Sequence, residues 1–509
     1  VFALAAPPTD LYPSLWIGMA ALAIALDFQL PAQTGRLARH LEGAGRGWAF
    51  GFGANLVAFR FVPTVITRFT PLPWAVAMLA LLLLAAGQAV RWMIVGGVRA
   101  RLVRAGVPRA PAFAIAVYAG TFFPMVFPWN PAGGVTPWPE LVQLADIFGE
   151  RGVSAIMALS AGLVAEGIRI ARARDARRPV LFYLAAGALL PLVTYAHGAW
   201  KIREIEAERA NAPTAKIVLL QPSTIASERW DKARAAGILS KLTTLTESAE
   251  RKGAELTIWP EAAYPYVIGH SSRRAPIGSF AILQPGVHGP VLTGALTSTG
   301  SDSYNSALVV AADGTLSPPY DKIHLLWFGE TVPLADVFPW LRKTFARGMG
   351  LVPGEKQVLL SSGRIHASVL NCFEDTLPGA GREAMEPAPN LLVNITNDAW
   401  FAGSAESELH ARMAVMRAVE ERRDLVRAVN FGPTTWVDAA GRVRAKYASD
   451  IPGALLTEPA LLETPPTFFG RFGEMPWVVV AGTLAAVFIA RERRRRARNA
   501  EGARSESPT

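Results

Sequence analysis

The sequence predicts a multi-pass α-helical membrane bundle joined to a polar, layered α/β domain. Three observations predict it. Six apolar segments crowd the first 200 residues. The stretch that follows alternates short β-rich runs with helical patterns. A last apolar segment near the C-terminus is closed by a run of arginines.

Composition sets the class. The chain has 509 residues, 51% of them hydrophobic, and a mean hydropathy of +0.25. That is too apolar for an ordinary soluble protein. The net charge of +10 would suggest nucleic acid in a soluble chain. Here the arginines cluster beside apolar runs, so they read as topology signals and no nucleic-acid partner is expected. A single cysteine, Cys372, excludes an intramolecular disulfide framework and a cysteine-based zinc site. The first residues, V-F-A-L-A-A-P-P from Val1, read as the end of a helix whose start is missing.

The apolar segments run over Leu11–Leu30, Trp48–Ile66, Trp74–Val95, Ala110–Phe127, Val153–Ile168 and Val180–Trp200. Several approach the ~20 residues that span a bilayer. Asp27, Arg91 and Glu166 lie near segment ends, within reach of an interface; Arg60 lies deeper. Basic residues follow every second segment: Arg36, Arg39 and Arg46; Arg99, Arg101, Arg104 and Arg109; Arg169, Arg172, Arg174, Arg177 and Arg178. The positive-inside rule puts those loops in the cytoplasm and the sixth segment's exit on the opposite face. The predicted organisation is therefore transmembrane helices over 1–200, an external domain over 201–473, a C-terminal transmembrane helix over 474–491 and a basic, disordered cytoplasmic tail over 492–509.

Within the external domain, Lys216–Leu220, Glu255–Trp259, Val291–Ala295, Ser306–Val310, Ile365–Leu370, Asn390–Ile395 and Leu425–Val429 read as strands. Ser227–Lys252 and Ser407–Arg423 read as helices, and A-D-G at 312–314 and A-A-G at 439–441 as turns. Alternating strands and helices predict a layered α/β domain.

Three strand ends carry chemistry. Cys372 ends the run Ile365–Leu370 in S-V-L-N-C-F-E-D-T-L-P, where a thiol at a turn is well placed to act as a nucleophile. Glu261 follows a β-type run in T-I-W-P-E. Lys322 and Glu330 lie in Y-D-K-I-H-L-L-W-F-G-E. A lone cysteine is more often a small core residue, but glutamate, lysine and cysteine on separate strand ends can converge on one point.

In this order and with these flanks, the three resemble the nitrilase (carbon–nitrogen hydrolase) superfamily, which implies an αββα sandwich with a Glu261–Lys322–Cys372 triad. Set between membrane helices, the domain resembles the apolipoprotein N-acyltransferases. The match runs through F-P-W-N (127–130), Q-L-A-D (143–146), W-P-E (259–261), Y-N-S (304–306), D-K-I-H-L (321–325), F-G-E (328–330), C-F-E (372–374) and N-I-T-N-D-A-W-F (394–401). Trp327, Thr331 and Phe373 depart from the pattern, which has Pro, Tyr and Tyr there.

The resemblance implies a general base at Glu261, an oxyanion partner at Lys322 and supporting carboxylates at Glu330 and Glu374. It places Trp400 and Trp230 near the substrate pocket. His324 and His410 lack metal-like spacing and read as structural; no metal or cofactor is expected. Over 327–351, Trp327, Phe328, Phe338, Trp340, Phe345 and Met349 are interleaved with Arg342, Lys343 and Arg347, a pattern suited to a membrane surface.

The implied activity is ping-pong transfer of an acyl chain from a phospholipid, through a Cys372 thioester, to the α-amine of a diacylglyceryl-modified N-terminal cysteine of an apolipoprotein. The expected setting is a monomer in the bacterial inner membrane with its catalytic domain in the periplasm. One alternative is a membrane-anchored amidase that passes its acyl group to water; another is a membrane scaffold with an inactive hydrolase domain.

Overall fold

The computed structural model describes residues 1–28, 36–173, 177–229, 231–327, 329–331, 337, 350–448 and 450–505. They form two compact units: residues 1–199 with 472–509, and residues 200–471.

The first unit is helical. Its helices are α1 (Ser14–Ala25), α2 (Arg36–Ala58), α3 (Val62–Phe69), α4 (Trp74–Gln88), α5 (Val90–Arg104), α6 (Arg109–Gly120), α7 (Ala145–Arg172), α8 (Arg177–Asn211), which runs on into the second unit, and the C-terminal Met475–Ser505. Among the described residues, four stretches are long and apolar enough to cross a membrane: Trp74–Arg104, Ala145–Arg172, Arg178–Asn211 and Met475–Arg498. The pair Leu41–Ala58 and Val62–Arg68 makes a fifth if its 50° bend is one span. The bend has a local cause. Pro63 sits in the first turn of α3, where it lacks the N–H that would continue the α2 ladder. Arg60 falls in this break and its side chain is exposed.

Two of the expected spans are shorter than predicted. α1 covers only Ser14–Ala25, and α6 stops at Gly120, ahead of Pro124 and Pro128. The charges expected at the interface are paired within the unit. Asp27 accepts from Arg99 (2.8 Å) and lies 3.3 Å from Arg109; Arg91 donates to the Trp129 carbonyl (2.6 Å) and to Asn130 Oδ1 (3.2 Å); Glu166 pairs with Arg169 (2.7 Å).

The C-terminal helix corrects the expectation of a disordered tail from 492. It continues through the arginine run to Ser505. Glu492 holds Arg495 at 2.9 Å and Arg496 at 2.8 Å, the i,i+3 and i,i+4 spacings at which opposite charges support a helix.

The second unit contains two sheets. In chain order the strands are β1 (Ile217–Gln221), β2 (Leu256–Ile258), β3 (Val267–Gly269), β4 (Val291–Ser298), β5 (Ser303–Val310), β6 (Tyr320–Asp321), β7 (Leu360–Ser362), β8 (Ile365–Asn371), β9 (Leu391–Thr396), β10 (Leu425–Val429), β11 (Thr434–Val437), β12 (Val443–Tyr447) and β13 (Gly453–Thr457). One sheet runs β13-β1-β2-β4-β5-β6 with β3 on β4; the other runs β12-β11-β10-β9-β8-β7. The centre of each is parallel: β1, β2 and β4 in one, β8, β9 and β10 in the other.

Alternation along the strands builds the layers. Ile217 and Leu219 join Ile258, Leu292, Val369, Val393 and Val426 in a core shared by the two sheets. Val218 and Leu220 point the other way, onto Ile238, Leu239 and Leu242 of the helix Ala235–Arg251. The opposite outer layer comprises Pro378–Ala384 and Glu406–Glu421. The result is an αββα sandwich. The predicted helix over 227–252 is broken: Asp231 caps a 3₁₀ turn by accepting from Ala233 N (2.9 Å), and the helix starts again at Ala235.

Candidate active site

The three strand-end motifs meet at the C-terminal ends of the parallel strands, where open α/β sheets place their sites. β8 ends at Asn371, and Cys372 opens the 3₁₀ turn Cys372–Thr376 with φ of 54°. β2 ends at Ile258, and Glu261 follows Pro260; Ala262 then adopts φ of 46°. β6 ends at Asp321, directly before Lys322. A side chain with positive φ is strained by roughly 1–3 kcal/mol and persists where its surroundings over-determine it.

Those surroundings are specific. Glu374, fully buried, accepts from Asn371 N (2.7 Å) and Tyr320 Oη (2.7 Å) with one oxygen. With the other it accepts from Ile323 N (2.8 Å) and His324 N (3.0 Å). It thus clamps the Cys372 turn to the segment that carries Lys322. From β9, Asn394 Nδ2 donates to the carbonyls of Leu370 (2.8 Å) and Cys372 (3.2 Å). Arg229 holds the turn after Glu261 by donating to the carbonyls of Ala262 and of Tyr264, the latter at 3.0 Å.

Lys322 is 2% exposed and lies between two carboxylates, 3.4 Å from Glu261 Oε1 and 2.8 Å from Glu330 Oε2. Asn305 on β5 joins the same pair, donating from Nδ2 to Glu261 Oε1 (2.7 Å) and Glu330 Oε1 (2.9 Å). Its Oδ1 accepts from Asn371 Nδ2 (3.1 Å), the residue before the thiol. Cys372 itself is half-buried, and its thiol and the Glu261 carboxylate influence each other electrostatically.

Electrostatics separate the two glutamates. Burial pushes the Glu261 carboxyl up, against the pull of Lys322 and with the help of the Glu330 charge. Glu330 is also opposed by burial, but Lys322 and the Leu326 N–H hold it below the usual carboxylate range. Burial alone would depress the Lys322 ammonium; Glu330 and Glu261 outweigh it and hold the group charged. Burial also pushes the Cys372 thiol well up, reinforced by Glu261 and opposed by Lys322. Two carboxylates driven apart in this way divide their work, one basic enough to take a proton and the other a permanent counter-ion. The cluster can therefore deprotonate a thiol and present an ammonium to a developing oxyanion.

Residues 1–163 match the apolipoprotein N-acyltransferase N-terminal domain, and residues 217–456 match the carbon–nitrogen hydrolase family. An apolipoprotein N-acyltransferase of Geobacter metallireducens is 30% identical over 97% of this chain and 94% of its own. One from Bdellovibrio bacteriovorus is 30% identical over 87% and 84%.

The chain belongs to the apolipoprotein N-acyltransferase family.

Among solved structures, an amidase from Nesterenkonia sp. aligns with 52% of the chain and 94% of its own, at 19% identity and a TM-score of 0.38.

The other expected site residues of this family member fall as follows. Trp400 lies in the 3₁₀ turn Asp398–Phe401 after β9 and is 39% exposed. Trp230 lies outside the described residues, as do Phe328, Phe338, Trp340, Arg342, Lys343, Phe345, Arg347 and Met349 of the amphipathic stretch. His324 pairs with Glu383 at 2.8 Å. Asn305, Asn394 and Arg229 were missed as contributors. Asn305 lay in the quoted Y-N-S and Asn394 in N-I-T-N-D-A-W-F, but nothing in either motif says where its amide points.

One further group resembles a metal site. Asp398, Glu406 and His410 bring one ligand atom each within 4.8 Å of one another. Both ring nitrogens of His410 already face carboxylates, and Arg427 bonds the same carboxylates, so the donor set is occupied by the protein's own cations.

Proposed function

We propose that the protein transfers an acyl chain from a phospholipid to the α-amine of a diacylglyceryl-modified N-terminal cysteine of lipoproteins, by a ping-pong reaction through Cys372. The observation that carries this reading is the meeting of thiol, raised carboxylate and buried ammonium at three strand ends. The relatives named apolipoprotein N-acyltransferases point to the same acceptor class.

In the first half-reaction Glu261 takes the Cys372 proton and the sulfur adds to the ester carbonyl. Lys322 donates to the oxyanion, an interaction typically worth about 10²–10³ in rate. The tetrahedral adduct collapses as Glu261 returns the proton to the leaving alkoxide, releasing lysophospholipid. In the second, Glu261 accepts a proton as the amine adds to the thioester, and the thiol leaves protonated. Glu330 keeps Lys322 charged and aimed, Glu374 fixes the turn, and Trp400 and Trp230 border the acyl pocket. No metal or dissociable cofactor enters the scheme. The enzyme acts as a monomer in the bacterial inner membrane, with the α/β domain in the periplasm and the arginine-rich C-terminal end in the cytoplasm, an orientation supported by the alternation of basic loops.

The test is mass spectrometry of the intact protein after incubation with phospholipid. An acyl adduct on Cys372 that disappears when a diacylated lipopeptide is added supports the reading, and Cys372→Ala should show no adduct. Release of free fatty acid with no transfer to the lipopeptide would point to a hydrolase instead.

A further inference from the structure

Beneath the Cys372 turn lies a closed ring of four charged side chains from four elements. Asp375 belongs to the same 3₁₀ turn as Cys372, and Asp398 opens the turn that carries Trp400. His410 comes from the helix Glu406–Glu421 and Arg427 from β10. His410 Nε2 lies 2.8 Å from Asp375 Oδ1 and its Nδ1 3.1 Å from Asp398 Oδ1. Arg427 closes the ring from Nε to Asp375 Oδ2 (3.4 Å) and from Nη2 to Asp398 Oδ2 (3.2 Å). All four side chains are buried.

The geometry fixes the charge state. An imidazole whose two nitrogens both face ionised carboxylates makes both hydrogen bonds only when each nitrogen carries a proton. Burial would depress the imidazolium, but Asp375 and Asp398 hold it up at about 10. The ring is then two anions against two cations. Glu406, one turn before His410, also faces the ring; burial pushes that carboxyl up to about 8, so it is mostly neutral at pH 7. The charges reach the thiol, which also faces Glu261, Lys322 and Glu330: Asp398 pushes Cys372 up, and Arg427 interacts with it favourably.

We propose that His410 is a positioning residue for the nucleophile: as an imidazolium between Asp375 and Asp398 it locks the Cys372 turn to the Trp400 turn and cancels negative charge beneath the thiol. This rests on Cys372 being the nucleophile. It adds that the thiol's readiness depends on a cation on an outer helix, which contacts neither substrate nor sulfur.

Cys372 is the only cysteine, so alkylation by iodoacetamide reads that one thiol without reference to acyl transfer. The test is the pH dependence of its alkylation rate in the full chain in detergent, for wild type, His410→Gln, Asp398→Asn and the double variant. A unit charge acting across roughly 10 Å at an effective dielectric near 20 moves a pKa by about one unit. His410→Gln leaves a net anion under the sulfur and should move the profile about one unit alkaline. Asp398→Asn leaves a net cation and should move it about one unit acid. The double variant restores the balance and should return close to wild type, although less stable than wild type. A lattice that merely supports the fold gives no opposed shifts and no rescue, and coincident profiles overturn the proposal. So does loss of fold in all three variants, which leaves the ring a folding role only. If the shifts appear but phospholipid never acylates Cys372, the proposed function fails while this inference stands.

Discussion

Asn305 offers the sharpest test of how the two glutamates are kept distinct. Asn305→Leu preserves approximate volume but removes both Nδ2 donations, to Glu261 at 2.7 Å and to Glu330 at 2.9 Å, and the acceptor for Asn371. A hydrogen bond to a charged group contributes about 1.5–3 kcal/mol. About 1.4 kcal/mol of it acting on the ionised form alone is one pKa unit. The Asn305 bond lowers the Glu261 pKa, so its loss should raise that already elevated carboxyl by about one unit more. A carboxylate works as a base only when ionised, so on the proposed mechanism activity rises with pH through the folded pKa of Glu261. The variant's profile should therefore lie about one unit alkaline of wild type. Below the inflection the rate of thioester formation should fall about tenfold, and most of the loss should be recovered at high pH. Single-turnover acylation followed by intact mass across pH, with a thermal melt to confirm folding, measures this. A rate lowered equally at every pH would mean that Asn305 only supports the fold. An unchanged profile would mean that it does not act on Glu261.

Glu261→Gln keeps the shape of the base but cannot take a proton; both half-reactions should slow by about 10²–10⁴-fold, with partial rescue of acylation at high pH, read in the same assay. Glu421 is buried without a hydrogen-bond partner for either carboxylate oxygen among the described residues, and burial pushes it up to about 7 against the charges of Arg417, Arg382 and Arg423. Its folded pKa lies above the unfolded value near 4.5, so the folded state holds the extra proton between those values and stability falls as pH rises through that window. Glu421→Gln should abolish that slope, gaining up to about 3 kcal/mol over wild type at pH 8 relative to pH 4, as measured by denaturant unfolding. Reporters fused after Ala490 and inserted near Gly300 should sit on opposite sides of the membrane; the same side for both would refute the topology.

The sequence made Glu261, Lys322, Glu330 and Cys372 legible because each is a chemically distinctive residue beside a strand or tight turn, and strand ends can be read locally. Asn305 was not legible as a bridge. Its role depends on β5 lying antiparallel to β4 and beside β6, a pairing set by tertiary register. Glu374 was legible as a supporting carboxylate, but not that its oxygens hold backbone N–H groups on either side of the site. β11, β12 and β13 escaped detection because periodicity over four or five residues is a weak signal, and in β12, Val443–Tyr447, exposed and charged positions interrupt the run as well. The apolar segments were found from composition, but their breaks were not, because hydropathy does not register Pro63 or the proline-rich exit from α6.

The left-handed backbone at Cys372 sets this position apart for protein engineering. A selection for thermal tolerance alone would favour glycine there, since removing Cβ relieves the steric clash, for a gain of about 1 kcal/mol or less once glycine's greater flexibility in the unfolded chain is counted. On the proposed mechanism the hardier variant would be inert. Any campaign to stabilise this protein by folding or expression readouts must therefore exempt residue 372.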